Sequence, residues 1–218
     1  MNRSPDERSQ DRDIRGPAYR GVYCRAALRA DPMAHAGYGL RQPPAKDTMT
    51  QPQITIRQFG PDDATAWRAI RLEALANEPV AFGQSLEDGE RQTIDDFRKT
   101  VSGPFPPFAA FDGATAIGTA GFYVMDGSKR SHRGMLWGMY VAPSHRGQGI
   151  GRKLIAAVID HARGRVEQIH LHAVTTNTAA CDLYRGMGFV TYGVEPRALR
   201  HAGRDYDEAM MVLMIDRS

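Results

Sequence analysis

One stretch of this 218-residue chain constrains its fold more than any other: Val141-Ala-Pro-Ser-His-Arg-Gly-Gln-Gly-Ile-Gly-Arg-Lys-Leu154. It reads as the end of a strand, a basic glycine-rich turn and the start of an amphipathic helix. Upstream, residues 135–141 have the apolar and aromatic character of a buried strand. Downstream, Ile150, Leu154, Ile155, Val158 and Ile159 recur at helical spacing along one face. Between them Gly147, Gly149 and Gly151 let the backbone curl with no Cβ in the way. Such a turn gathers backbone N–H groups at the positive end of a helix dipole, which suits a phosphate. Arg146 and Arg152 add charge, and Gln148 and Ile150 complete the turn.

Two other glycine motifs are excluded by the residues themselves. A Walker loop needs Gly-Lys-Ser/Thr, whereas Gly151 is followed by Arg152, Lys153 and Leu154. A dinucleotide fingerprint needs a third glycine three residues after the pair, and neither glycine pair has one. What matches is Arg-x-x-Gly-x-Gly at Arg146, Gly149 and Gly151. A second block, Asn-x-x-Ala-x-x-x-Tyr-x-x-x-Gly-Phe, falls at Asn177, Ala180, Tyr184, Gly188 and Phe189. Together the blocks resemble the coenzyme A loop and second coenzyme-binding segment of the GNAT superfamily of N-acetyltransferases. The resemblance spans residues 53–215.

That resemblance implies an α/β fold: a mixed, mostly antiparallel sheet of about six to seven strands flanked by about four helices, splayed between the fourth and fifth strands. It implies acetyl-CoA as acyl-donor cosubstrate and no metal. It also implies that the backbone of Met139, Tyr140 and Val141 contacts the coenzyme, with one N–H polarising the thioester oxygen. Gly138, inside that strand, marks either a bulge or the close approach of a neighbouring side chain.

Composition narrows the class further. Residues 1–48 carry nine Lys/Arg and six Asp/Glu, which accounts for the whole formal charge of +3. Residues 49–218 carry 19 of each and are formally neutral, so no diffuse nucleic-acid footprint is expected. No apolar run reaches membrane-spanning length, and the N-terminus lacks the apolar core of a secretory signal. Two cysteines, Cys24 and Cys181, read as free thiols of a cytoplasmic protein. Residues 1–48 have no sustained period and are expected to be a disordered extension, with Met49 a candidate translation start. The acetyltransferase domain is expected over 49–218. The oligomeric state is open, a homodimer included.

Along that domain, an alternating strand is expected over 49–59 and a helix from Asp62 to Asn77, stopped by Pro79. A second helix is expected over 93–101 and strands over 108–111 and 116–125, joined by the Asp112-Gly113 turn signal. After the helix from Ile150 come a strand over 168–174, a helix from Thr178 and strands over 189–192 and 206–215.

The reaction that the resemblance implies needs groups that bind the coenzyme, polarise its carbonyl, deprotonate an amine and protonate a thiolate. Asn177 stands where it either caps the following helix or contacts the coenzyme. Tyr184, on the helix face of Ala180, is by resemblance the proton donor; otherwise it is a core tyrosine. His172 lies where some family members place a catalytic glutamate, yet His170 and His172 alternate along a strand and could share a packed face. Glu73, Glu78 and Glu208 are rival bases acting through water. Cys181 lacks an adjacent base and reads as core. Glu78 and Phe82, between the first two helices, and Tyr206 and Glu208, on the last strand, are candidate acceptor contacts. The expected acceptor is the amine of a small molecule or a peptide terminus. The competing expectation is a silent coenzyme-binding regulatory module of the same fold.

Overall fold

In the computed structural model, which describes residues 54–215, the alternating segment at the start forms only a short edge strand, β1 (Thr55–Gln58). The helix expected from Asp62 begins as a 3-10 turn over Pro61–Asp63 and becomes α-helical at α1 (Ala64–Asn77). Trp67, Ile70, Arg71, Ala74 and Leu75 form its buried stripe. The helix ends where Pro79 requires it to. α2 (Leu86–Arg91) follows, then α3 (Ile94–Val101), whose Thr93 and Asp96 cap each other reciprocally.

β2 (Phe108–Asp112), β3 (Thr115–Val124) and β4 (Arg133–Val141) continue the sheet as an antiparallel meander. α4 (Ile150–Ala162) crosses back to β5 (Gln168–Val174), and α5 (Thr178–Arg185) leads to β6 (Val190–His201) and β7 (Arg204–Met214). The strand order is β1-β2-β3-β4-β5-β7-β6, with β4 and β5 the parallel pair. That pairing covers only Arg133–Met135 against 168–170. Beyond Met135 and His170 the strands separate, and the expected splay between fourth and fifth strands is in place.

Two apolar clusters sandwich the sheet. Ile150, Leu154, Ile155 and Val158 of α4 and Cys181 and Tyr184 of α5 pack on one face against Leu136, Ile169 and Leu171. Trp67, Ile70 and Ala74 of α1 and Phe97 of α3 pack on the other against Ala109, Phe111 and Tyr140. The last two strands are longer than the sequence pattern indicates, and β6 runs to His201 rather than stopping near Tyr192. Residues 1–48, Cys24 and the proposed start at Met49 lie outside the described residues.

Candidate active site

The splay opens into a cleft of about 740 Å³ between β4, the turn into α4, the start of α5 and the segment joining α1 to α2. The three glycines of the basic turn serve two different ends. Gly147 and Gly149 have φ of +77° and +75°, and a Cβ built on either would meet nothing within 4 Å. Their bareness serves the backbone conformation and leaves the N-terminus of α4 open to the cleft. Gly151 is different: a Cβ there would lie 3.0 Å from Leu183 and 3.3 Å from Met139, so this glycine lets α4 close on α5 and β4.

The basic side chains at the turn already have partners. Arg146 donates through Nε to the Val141 carbonyl at 2.9 Å and through Nη2 to Glu78 at 2.8 Å. Arg152 donates to the Gly186 carbonyl at 3.1 Å, which ties α4 to the end of α5. Asn177 caps α5, its Oδ1 accepting from the Ala180 N–H at 3.1 Å, and the residue also lines the cleft. Its amide nitrogen is not used by the cap.

Met139, Tyr140 and Val141 line the cleft from β4, and Gly138 before them has φ +62° at a register shift against β3. The Tyr140 hydroxyl donates to Glu73 at 3.0 Å and accepts from Asn77 at 2.8 Å. Burial, helped by the Glu73 carboxylate, raises its pKa. Glu78 and Phe82 reach the cleft together with Val80 and Ala81. Glu78 does so as the ion-pair partner of Arg146, on the side of the basic turn.

Other sequence candidates stand apart from the cleft walls. Tyr184 is 6% exposed, with its ring against Phe189 at 5.9 Å, and burial raises its pKa above the ordinary phenol value. Gln148 sits outside the cleft lining, and Tyr206 lies under the guanidinium of Arg204. His170 and His172 do share a strand face, but only His170 is packed. Arg133 Nε donates to its Nε2 at 3.1 Å, and Tyr192 lies edge-on to its ring. His172 is exposed, and its Nδ1 is 3.7 Å from Glu208.

Glu195 joins that pair. It stands directly opposite Glu208 across β6 and β7, and one ligand atom from each of His172, Glu195 and Glu208 lies within 4.8 Å of the others. Like charges placed opposite each other destabilise a strand pair. Burial and the Glu195 charge hold the Glu208 carboxyl above its ordinary pKa, although His172 pulls it down. The three side chains project from the sheet face opposite Leu171, Ala209 and Met211 of the main core. Trp137 and α1 occupy the same face over β4. Glu195 carries no sequence signal, because strand pairing creates its surroundings. Cys181 is buried, with Sγ 3.8 Å from the Val174 carbonyl and a raised pKa, as its core reading requires.

The family model described as the acetyltransferase (GNAT) family matches residues 67–189. The chain belongs to this family. Among its relatives, the L-amino acid N-acyltransferase MnaT of Escherichia coli is 30% identical over 168 residues, covering 75% of this chain and 95% of that protein. A mycothiol acetyltransferase of Thermobispora bispora is 29% identical over 73% of this chain, but over only 58% of its own length. The chain thus spans little more than half of that relative. The solved structure of yncA from Salmonella typhimurium, with its cofactor acetyl-CoA, superposes with a TM-score of 0.67 at 24% identity, covering 75% of this chain and 94% of that one. The chain therefore shares its fold with that structure.

Proposed function

We propose that the chain is a cytoplasmic, acetyl-CoA-dependent N-acetyltransferase that acts on the primary amine of a small molecule or a peptide terminus. The observation that carries this reading is the junction of two features. The bare, left-handed Gly147 and Gly149 open α4 into the same cleft that the separation of β4 from β5 creates. The turn fits a pyrophosphate through its free backbone N–H groups, and Arg146 and Arg152 supply local positive charge. The acetyltransferase and acyltransferase names of the relatives and the acetyl-CoA held by the Salmonella typhimurium structure support the donor: acetyl-CoA, when bound, supplies a thioester carbonyl open to attack. Among the described residues no helix is long and apolar enough to cross a membrane, and the neutral charge of the domain argues against a nucleic-acid partner.

The residues of this chain then divide the work. A backbone N–H of residues 139–141 faces the carbonyl oxygen as a hydrogen-bond donor. His172, with Glu208 beside it, takes the proton that the attacking amine loses. The new N–C bond forms as the C–S bond breaks, and the electron pair leaves with sulfur. Tyr184, whose phenol is protonated at neutral pH, returns a proton to that sulfur; burial makes it a weaker acid than a free phenol.

One observation favours the silent-module alternative: Tyr184 is buried outside the cleft lining. A thiol-release assay over a panel of amines separates the two readings. Turnover of any amine supports the enzyme, while saturable acetyl-CoA binding with no turnover supports the module.

A further inference from the structure

His172 of β5, Glu208 of β7 and Glu195 of β6 stand on neighbouring strands, so ladders rather than loops set their spacing. His172 is paired with Met210 and Glu208 with Val174, which makes the imidazole and the carboxylate diagonal neighbours on one sheet face. Glu195 is level with Glu208 on that face. Among the described residues no other trio of His, Cys, Asp or Glu brings its ligand atoms within 4.8 Å of one another. Nitrogen and oxygen donors meet here, on three strands.

The charge of the trio is unbalanced. Among the described residues no arginine or lysine pairs with either carboxylate. The Glu208 side chain is only 14% exposed, yet its nearest partner of opposite character is His172 Nδ1 at 3.7 Å, longer than a hydrogen bond. Even a protonated imidazole leaves one of two carboxylates uncompensated, and a largely buried charge without a partner is costly. A cation answers that charge, and the imidazole decides which one. Calcium and magnesium take oxygen ligands, whereas an imidazole nitrogen suits zinc and its first-row neighbours. With bonds of roughly 2.0–2.2 Å, ligand atoms placed tetrahedrally around zinc lie about 3.4 Å apart. Rotation of the two glutamates closes the trio to that size, and His172 and Glu195, both exposed, leave an entry path.

We propose that His172, Glu195 and Glu208 bind a divalent transition-metal ion of the zinc class, at a site that the family resemblance does not call for. Solvent fills the remaining coordination position. The ion staples β5, β7 and β6 together just past His170, where β4 has left β5. It also removes the repulsion between two carboxylates that face each other across a strand pair. While it is bound, the His172 lone pair is engaged and cannot take a proton from an amine.

The test titrates the full chain, stripped with a chelator and dialysed, with zinc chloride in a calorimeter, and with magnesium chloride for comparison. Neither acetyl-CoA nor an acceptor is present, so the outcome is independent of whether the chain transfers acetyl groups. The expected result is saturable zinc binding, tighter than that of magnesium, that weakens by at least about tenfold in Glu195→Gln and in His172→Gln. Both substitutions fall at exposed positions, and the melting temperature of each metal-free variant checks its fold. The wild type supplies a second measurement that needs no variant. Zinc should protect His172, and not the exposed His201, from diethyl pyrocarbonate, as read by peptide mass spectrometry. The proposal is overturned by an absence of saturable zinc binding, by magnesium binding as tightly, or by equal modification of His172 with and without zinc. Undiminished zinc affinity in a folded Glu195→Gln protein overturns it too, since the ion then sits elsewhere.

Discussion

Arg146 Nη2 lies 2.8 Å from Oε1 of Glu78, so the guanidinium that the basic turn presents is paired with a carboxylate from the α1–α2 segment. The side chains are 47% and 32% exposed, which places the pair among weak surface ion pairs worth about 0–1 kcal/mol. A phosphate arriving at the turn competes with Glu78 for Arg146. Glu78→Gln should therefore tighten acetyl-CoA binding, by up to about fivefold given that energy. Titration calorimetry on the two proteins measures it, and weaker binding in the variant would show that Glu78 assists the coenzyme.

Gly149 makes a stricter demand. Its φ of +75° strains any side chain, and the open space above it belongs to the cleft. Acetyl-CoA at a hundredfold excess over its Kd should stabilise the wild type by about 2.7 kcal/mol. Gly149→Val should remove most of the accompanying rise in melting temperature. A folded variant with an undiminished rise would dismiss the turn as the binding site.

Tyr184→Phe keeps the ring against Phe189 and removes only the hydroxyl. A thiolate with a pKa near 8.5 already leaves tolerably, so the loss should sit at the low end of general-acid effects, roughly a hundredfold in kcat. The KM for acetyl-CoA should barely move if chemistry limits turnover. Wild-type single-turnover rates in the variant would assign Tyr184 to the core alone.

Acid sensitivity should come from His170 and His161. Burial, and for His170 the nearby Arg133 charge, lowers both pKa values below the ordinary 6.5. A depressed folded pKa means that the unfolded chain binds the proton more readily, so stability is lost as pH falls through about 6.5 and below. Glu208 acts in the opposite sense, but only nearer its ordinary value of 4.5. Melting temperature should fall between pH 7 and 5.5, and His170→Gln should flatten that slope. An unchanged slope would place the sensitivity elsewhere.

The basic turn and the block from Asn177 to Phe189 were legible because local backbone demands fix their residues: left-handed glycines, a helix cap, an apolar stripe. α2 was not. Its six residues contain Gly89, ordinarily a helix breaker, and its place depends on that glycine lying where a Cβ would come within 2.7 Å of Leu75. Ser85, which accepts from the Asp88 N–H, was the available signal. The length of β6 was hidden by Pro196 and by a hairpin turn at Ala202 and Gly203, both at positive φ, where Asn-Gly would have announced itself. The strand tolerates that proline because the β6–β7 register is broken between Glu195 and Leu199, so no ladder hydrogen bond is asked of it there. Arg71 looked like one polar residue on an apolar stripe; packing between Phe82 and Trp137 and two hydrogen bonds to Gln84 hold it there.

The parting of β4 from β5 after Met135 gives this sheet two interior edges in addition to its outer ones. Exposed edges ordinarily invite another chain to pair with them. Here the wedge is closed at one end by the pairing of Arg133–Met135 with residues 168–170, so a partner can reach these edges only from the open end. An occupant has to be slender, enter from the open end and bring its own amide groups to answer the unpaired backbone. The sheet carries a vacancy one strand wide that selects for thread-like guests and turns a liability of β-structure into a keyhole.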